Sequence, residues 1–214
     1  MSYRALLLSS LIVLTGNVWA VPVTTNGITF SENTGDFTLI SASGTGTLVD
    51  PIVLTETVNG PDIDLIIEID FGNLGAYPAL GGDGMWLKKV VTNGTSDAWS
   101  FFDMELQQVI GVASLGGDGL SFDDGNIAGG NETSDIFAVV DKVTDVRDFV
   151  NFSGGIVAPG ATVEFMVPIT DFSFTNPIYL RQRPNFRVGV PEPATLSLCL
   201  LAAFGVAARR KPSV

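Results

Sequence analysis

The sequence predicts an all-β protein. We expect a single antiparallel β-sandwich of the jelly-roll or immunoglobulin-like type over residues 21–189, with an apolar segment at each end of the chain. Three observations predict this fold: short stretches of alternating apolar and polar residues, turn signals between those stretches, and frequent glycine. Glycine supplies 22 of the residues in this body, which is close to twice its average usage in proteins.

The N-terminal 20 residues have the anatomy of a secretory signal peptide. Arg4 supplies a positive charge, residues 5–14 are mostly apolar, and Val18-Trp19-Ala20 places small side chains at the two positions that a signal peptidase reads. The sequence therefore predicts export, with signal peptidase as a partner and cleavage after Ala20.

Period-two alternation predicts the strands of the sandwich, because it gives a strand one buried face and one solvated face. The pattern is clearest in residues 64–71, 102–106 and 161–169, and four further strands are predicted at 37–43, 52–58, 86–91 and 178–181. In residues 102–106, Asp103 and Glu105 are expected on the solvated face.

Glycine, proline and asparagine mark the predicted turns. They occur at residues 59–61, 93–94, 154–155 and 159–160. The segment 136–150 is ambiguous: its apolar residues recur at helical spacing, whereas its many β-branched residues favour a strand. We expect at most one short helix there.

Composition excludes several kinds of chemistry. The chain has no histidine, which removes Ser-His-Asp and Cys-His catalysis and the common zinc sites. Its one cysteine, Cys199, lies in the C-terminal apolar segment, so the body has no disulfide. With 22 acidic residues against 7 basic ones, the body carries a net charge near −15 and is not expected to bind nucleic acid.

Calcium is an open alternative at one acidic, glycine-rich stretch, residues 116–135. Its candidate ligands are Asp118, Asp123, Asp124 and Asp135. Their spacing matches neither an EF-hand loop nor the nonapeptide repeats of calcium-binding β-rolls. The plainer interpretation is a solvated loop whose aspartates form turns, so no cofactor is expected.

Carbohydrate chemistry is a second alternative. Paired carboxylates could serve a glycan-active enzyme, although the strand alternation already explains most of the acids as solvent-facing. Trp86 and Tyr77 could stack on a sugar ring, as in a carbohydrate-binding module, or fill the core and loops. Trp99 is expected to be a core anchor. No catalytic residue is predicted, and a non-enzymatic protein is favoured.

The C-terminal segment predicts a weak membrane anchor. Residues 194–208 carry no charge, and Arg209-Arg210-Lys211 follow at once. A helix of this length spans about 22 Å, short of a hydrocarbon core near 30 Å. The basic cluster should stay on the cytoplasmic side, which leaves the body outside the membrane.

These features together resemble a known family. Pro191-Glu192-Pro193, the apolar helix and the basic cluster, within residues 190–214, are similar to the PEP-CTERM sorting signal of exported bacterial proteins. The prolines would keep the tripeptide extended and accessible outside the membrane. The resemblance implies transient insertion in the inner membrane and cleavage by an exosortase. It also implies a surface or extracellular-matrix role associated with exopolysaccharide or biofilm in a Gram-negative host.

Overall fold

The computed structural model describes residues 21–60, 64–72, 85–115, 117–122, 132–143, 148–171 and 175–185. These residues form two sheets that pack as a β-sandwich, which confirms the predicted all-β class. The strands are β1 (Val23–Thr25), β2 (Ile28–Thr34), β3 (Phe37–Ser43), β4 (Ile52–Val58), β5 (Leu65–Asp70), β6 (Met85–Asn93), β7 (Trp99–Gln107), β8 (Leu120–Ser121), β9 (Thr133–Ser134), β10 (Val139–Val143), β11 (Phe149–Val157), β12 (Thr162–Asp171) and β13 (Ile178–Pro184).

The first sheet has the order β1-β2-β5-β13-β7-β11-β10, and the second has the order β3-β4-β6-β12-β8, with β9 also paired to β12. Every pairing between these strands is antiparallel except that of β4 with β6, which is parallel. The prediction of a purely antiparallel sandwich was therefore wrong at this pair. The chain leaves β4 and returns through β5, in the other sheet, before it forms β6.

All seven strands predicted from alternation are confirmed. In the ambiguous segment, the described residues form β10 and the start of β11 rather than a helix. Strand propensity prevailed there, because β10 pairs with β11 along its whole length and this pairing suits the β-branched residues. No helix in the described ranges is long and apolar enough to cross a membrane. The predicted apolar helix 194–208 and the signal segment 1–20 lie outside those ranges.

The core lies between the sheets and is built from the side chains that each strand directs toward the opposite sheet. An aromatic cluster joins the layers: the ring of Phe165 on β12 lies 4.6 Å from that of Phe102 on β7 and 4.8 Å from that of Phe152 on β11. Trp99 is buried and lies 5.8 Å from Phe102, which confirms it as a core anchor.

The turn predicted at residues 154–155 was wrong. Both glycines lie inside β11, where its register with β7 shifts between Ser153 and Val157. A Cβ atom on Gly155 would lie 2.3 Å from the carbonyl oxygen of Ile136, so this bulge requires a residue without a side chain. The turn predicted at 159–160 is confirmed between β11 and β12, with Gly160 at φ +77°.

Candidate functional site

Three polar side chains meet inside the apolar core, and we call them the core triad: Glu56 on β4, Lys89 on β6 and Gln182 on β13. Lys89 Nζ lies 3.0 Å from Glu56 Oε1, and Gln182 Nε2 donates to Glu56 Oε2 at 3.1 Å. All three residues are 0% exposed. One carboxylate thus bridges an amine from its own sheet and an amide from the opposite sheet.

The core triad is placed by ordinary strand alternation. Glu56 lies on the buried face of β4 together with Ile52, Leu54 and Val58. Lys89 likewise follows Leu87 and precedes Val91 on the buried face of β6. The parallel register sets Leu54 opposite Lys89 and Val91 opposite Glu56, so the two charged residues are diagonal neighbours.

Burial dominates the electrostatics of this site. Loss of hydration lowers the pKa of Lys89, while the negative charge of Glu56 and its hydrogen bond act in the opposite direction. A buried lysine of this kind is held closer to its neutral, nucleophilic form than a lysine in water. The site therefore combines a fully buried amine, carboxyl group and carboxamide.

A second polar group lies on the outer face of the seven-stranded sheet, and we call it the arginine ladder: Asp64, Arg181, Glu105, Arg183 and Asp103. Arg181 Nε donates to Asp64 Oδ1 at 2.6 Å, and its Nη1 donates to Glu105 Oε2 at 3.2 Å. Arg183 Nε donates to Asp103 Oδ1 at 2.7 Å, and its Nη2 reaches Glu105 Oε2 at 3.4 Å.

The arginine ladder corrects one expectation. Asp103 and Glu105 were predicted on a solvated face, yet both are 0% exposed. The register explains why these buried carboxylates are tolerated, because Arg181 lies directly opposite Glu105 and Arg183 directly opposite Asp103 in the β13–β7 pair. These two carboxylates form buried ion pairs with arginines. A glycan-active enzyme needs a pair of acids that the substrate can reach, and these two are not exposed.

Asp148, just before β11, is a buried acid with an altered protonation equilibrium. Burial raises its pKa to about 7, the negative charges of Asp118 and Glu105 add to the rise, and a hydrogen bond with Ser121 opposes it. Asp148 is 1% exposed. The Asp148 carboxyl group is therefore partly protonated near neutral pH.

Of the four calcium candidates, Asp118 and Asp135 lie within the described ranges, while Asp123 and Asp124 lie outside them. Asp118 shapes its own loop: Oδ2 accepts from Ser114 Oγ at 2.6 Å and from the amide of Leu115, and Oδ1 accepts from the amide of Leu120. This is the turn-forming role that the plainer interpretation of the acidic stretch predicts.

Asp135 lies elsewhere on the sandwich. Its Oδ1 accepts from the amide of Glu164 at 2.8 Å, near the start of β12, whereas Asp118 adjoins Leu120, which pairs with Asp171 at the end of that strand. Seven residues of strand separate these points by about 20 Å, so the two aspartates do not share a site.

Asp135 does line an open recess of about 260 Å³, together with Lys88, Glu164 and the strand β9. Lys88 Nζ lies 2.7 Å from Glu164 Oε2 and already supplies a cation there. Among the described residues, no group of three or more acidic or cysteine side chains is arranged to hold a metal ion.

Of the remaining predicted site residues, some lie within the residues that the structure describes and the others lie outside them. Trp86 is 5% exposed and does not present its ring to a sugar. Tyr77 lies outside the described residues. So do Ala20 and the residues of the predicted sorting signal, Pro191, Glu192, Pro193, Arg209, Arg210 and Lys211.

Sequence reasoning missed the core triad as a group, although part of the signal was present. Glu56 and Lys89 each occupy a position that alternation assigns to an apolar residue, and a charge at such a position indicates a buried partner.

Comparison of the chain with models of protein families, with curated proteins and with solved structures finds no match in any of the three.

Proposed function

We propose that this chain is an exported protein of the cell surface or extracellular matrix, sorted by an exosortase, with a non-enzymatic structural or interaction role associated with exopolysaccharide. The observation that carries the proposal is the C-terminal order of Pro191-Glu192-Pro193, an uncharged apolar segment and Arg209-Arg210-Lys211. The N-terminal signal anatomy agrees with it, because it provides the route to the membrane.

The character of the body supports a structural role. The described residues are stabilised by an apolar core, a buried ion pair and an arginine ladder, and they contain no cysteine, so they depend on no disulfide outside the cell. A net charge near −15 for residues 21–190 favours solubility and disfavours binding to anionic surfaces.

A carbohydrate-binding or glycan-active body draws less support. The described aromatic candidate, Trp86, is buried, and the described acids Asp103 and Glu105 are held by arginines. The finer assignment of the sandwich to a jelly-roll or immunoglobulin-like topology stays a prediction.

The sorting proposal is tested by removing the basic cluster. A chain with Arg209, Arg210 and Lys211 all changed to Ser loses the charge that holds the segment's cytoplasmic end. We expect reduced surface delivery and accumulation of uncleaved precursor, measured by fractionation and immunoblotting in an exosortase-containing host.

The matched control exchanges the same residues conservatively, Arg209→Lys, Arg210→Lys and Lys211→Arg, and keeps all three charges. It should be delivered like the wild type. Delivery of the Ser variant at the wild-type level would contradict the proposed role of the C-terminal segment.

A further inference from the structure

The core triad brings together the reactants of an amide-forming reaction. Lys89 supplies a primary amine, Gln182 supplies a carboxamide, and the Glu56 carboxylate contacts the amine at 3.0 Å and the amide nitrogen at 3.1 Å. Gln182 Oε1 is buried and accepts no hydrogen bond from the residues that the structure describes. The reaction consumes no water, and all three residues are fully buried.

We propose that Lys89 and Gln182 form an intramolecular isopeptide bond, with Glu56 as the residue that transfers the protons. The bond would join Nζ of Lys89 to Cδ of Gln182 and release ammonia. It would connect β6 of the six-stranded sheet to β13 of the seven-stranded sheet, across the core.

The proton and electron balance of the step is complete within the triad. The ammonium of Lys89 passes one proton to Glu56, and the neutral amine attacks Cδ of Gln182 with its lone pair. Glu56 then gives its proton to Nε2 of Gln182 and receives a second proton from Nζ. The Cδ–Nε2 bond breaks, its electron pair leaves with nitrogen as ammonia, and the carbonyl re-forms. The products are a secondary amide and an uncharged Glu56.

The surroundings favour this reaction in two ways. The burial that lowers the pKa of Lys89 stabilises the neutral amine that must attack. The apolar neighbours on β4 and β6, namely Leu54, Val58, Leu87 and Val91, are buried and exclude water that would otherwise solvate the reactants. The reaction also replaces a buried ion pair, which is costly to desolvate, by neutral groups.

Peptide mapping of the full chain tests the proposal, because its result does not depend on how the termini are processed. Trypsin does not cleave after an acylated lysine, and the bond after Arg183 is protected by Pro184. The wild type should therefore give a branched peptide of segments 89–142 and 182–187, lighter than their sum by about 17 Da, the mass of ammonia. Tandem mass spectrometry should place the branch at Lys89 and Gln182.

Two variants assign the role of Glu56. Glu56→Gln removes the proton-transferring group at nearly constant volume, and it should give separate linear peptides with cleavage after Lys89. Glu164→Gln makes the same change at a carboxylate that pairs with Lys88 on the outer face, and it should keep the branched peptide.

The outcomes are distinct. Linear peptides alone from folded wild-type protein would overturn the proposal, and so would a branch between Lys89 and Glu56 with loss of water. A branched peptide in folded Glu56→Gln protein would overturn the role of Glu56. If that variant fails to fold, the wild-type map alone still decides whether the bond exists.

Discussion

At the scale of single residues, the arginine ladder and the core triad each place buried charges of opposite sign side by side. The arginine ladder alternates carboxylate and guanidinium from Asp64, just before β5, across β13 and β7, and the core triad places one cation beside one anion. Burial makes each ion expensive unless its partner is in place, so loss of one member should be far more damaging than loss of an exposed ion pair.

The arginine ladder provides a direct test of this point. Arg183→Met removes the guanidinium that lies against both Asp103 and Glu105 while keeping much of the side-chain volume. We expect a loss of about 3–5 kcal/mol in the free energy of unfolding, because buried carboxylates lose a compensating cation. Equilibrium unfolding in urea measures it.

Lys88→Met is the control, since it breaks an ion pair whose side chains are 30% and 44% exposed. Its cost should stay below about 1 kcal/mol. Equal losses of unfolding free energy in the two variants would show that burial does not determine how much these ion pairs contribute to stability.

Asp148 should make stability depend on pH in the opposite sense to an ion-paired acid. Its pKa in the folded state, about 7, is above the value of 3.8 expected for an unfolded chain. As pH rises from 4 to 7, the unfolded state loses a proton that the folded state retains, so stability falls. Asp148→Asn should remove this contribution, so the stability of the variant should fall less as pH rises from 4 to 7.

Thermal unfolding at pH 5 and pH 8 measures the effect, with Asp141→Asn, a change at an exposed acid, as the control. The Asp148→Asn protein should show a smaller difference in melting temperature between the two pH values than the control does. An unchanged difference would exclude Asp148 as a source of the pH dependence.

At the scale of secondary-structure elements, alternation predicted seven of the thirteen strands that the structure describes, namely β3 to β7, β12 and β13. It did not reveal β1, β8 or β9, which have two or three residues and are too short to show a period. It also missed β2 and β11 and left the segment of β10 undecided. The parallel pairing of β4 with β6 was also beyond the sequence, since alternation is the same for either direction. The two glycines of β11 resemble a turn in sequence, and only the shifted register distinguishes a bulge.

The same limit applies to the sites. The sequence places Glu56 and Lys89 on buried faces, but it gives no register between opposed sheets and so could not bring Gln182 to them. The burial of Asp103 and Glu105 was missed because alternation cannot distinguish a solvated face from a covered one.

The β11 bulge should be intolerant of any side chain at one position. Gly155→Ala would place a Cβ atom 2.3 Å from the carbonyl oxygen of Ile136, a contact that only backbone movement relieves. We expect a loss of about 2 kcal/mol or more in the free energy of unfolding. Urea unfolding, followed by tryptophan fluorescence, measures it.

Gly160→Asn is the matched control, because that position has φ +77° and no atom within 4 Å of an added Cβ, and asparagine tolerates this backbone conformation. Its cost should be clearly smaller. A Gly155→Ala protein as stable as the wild type would contradict the steric origin of the bulge.

At the scale of the whole molecule, the described residues contain no cysteine, so their fold depends on non-covalent packing rather than on disulfides. Its two sheets are joined by an apolar core and by the core triad. A covalent bond between Lys89 and Gln182 would close a long loop, and by analogy with disulfides it would add about 4–5 kcal/mol of stability. Such a bond would serve a matrix or surface component exposed to mechanical load.

Export with removal of both terminal segments is the central proposal, and the intact mass of the protein recovered from its native host tests it most directly. The predicted mass corresponds to a chain that begins at Val21 and ends close to Pro191-Glu192-Pro193, in material from the cell surface or the medium. A soluble cytosolic protein whose mass includes both Met1 and Val214 would contradict it.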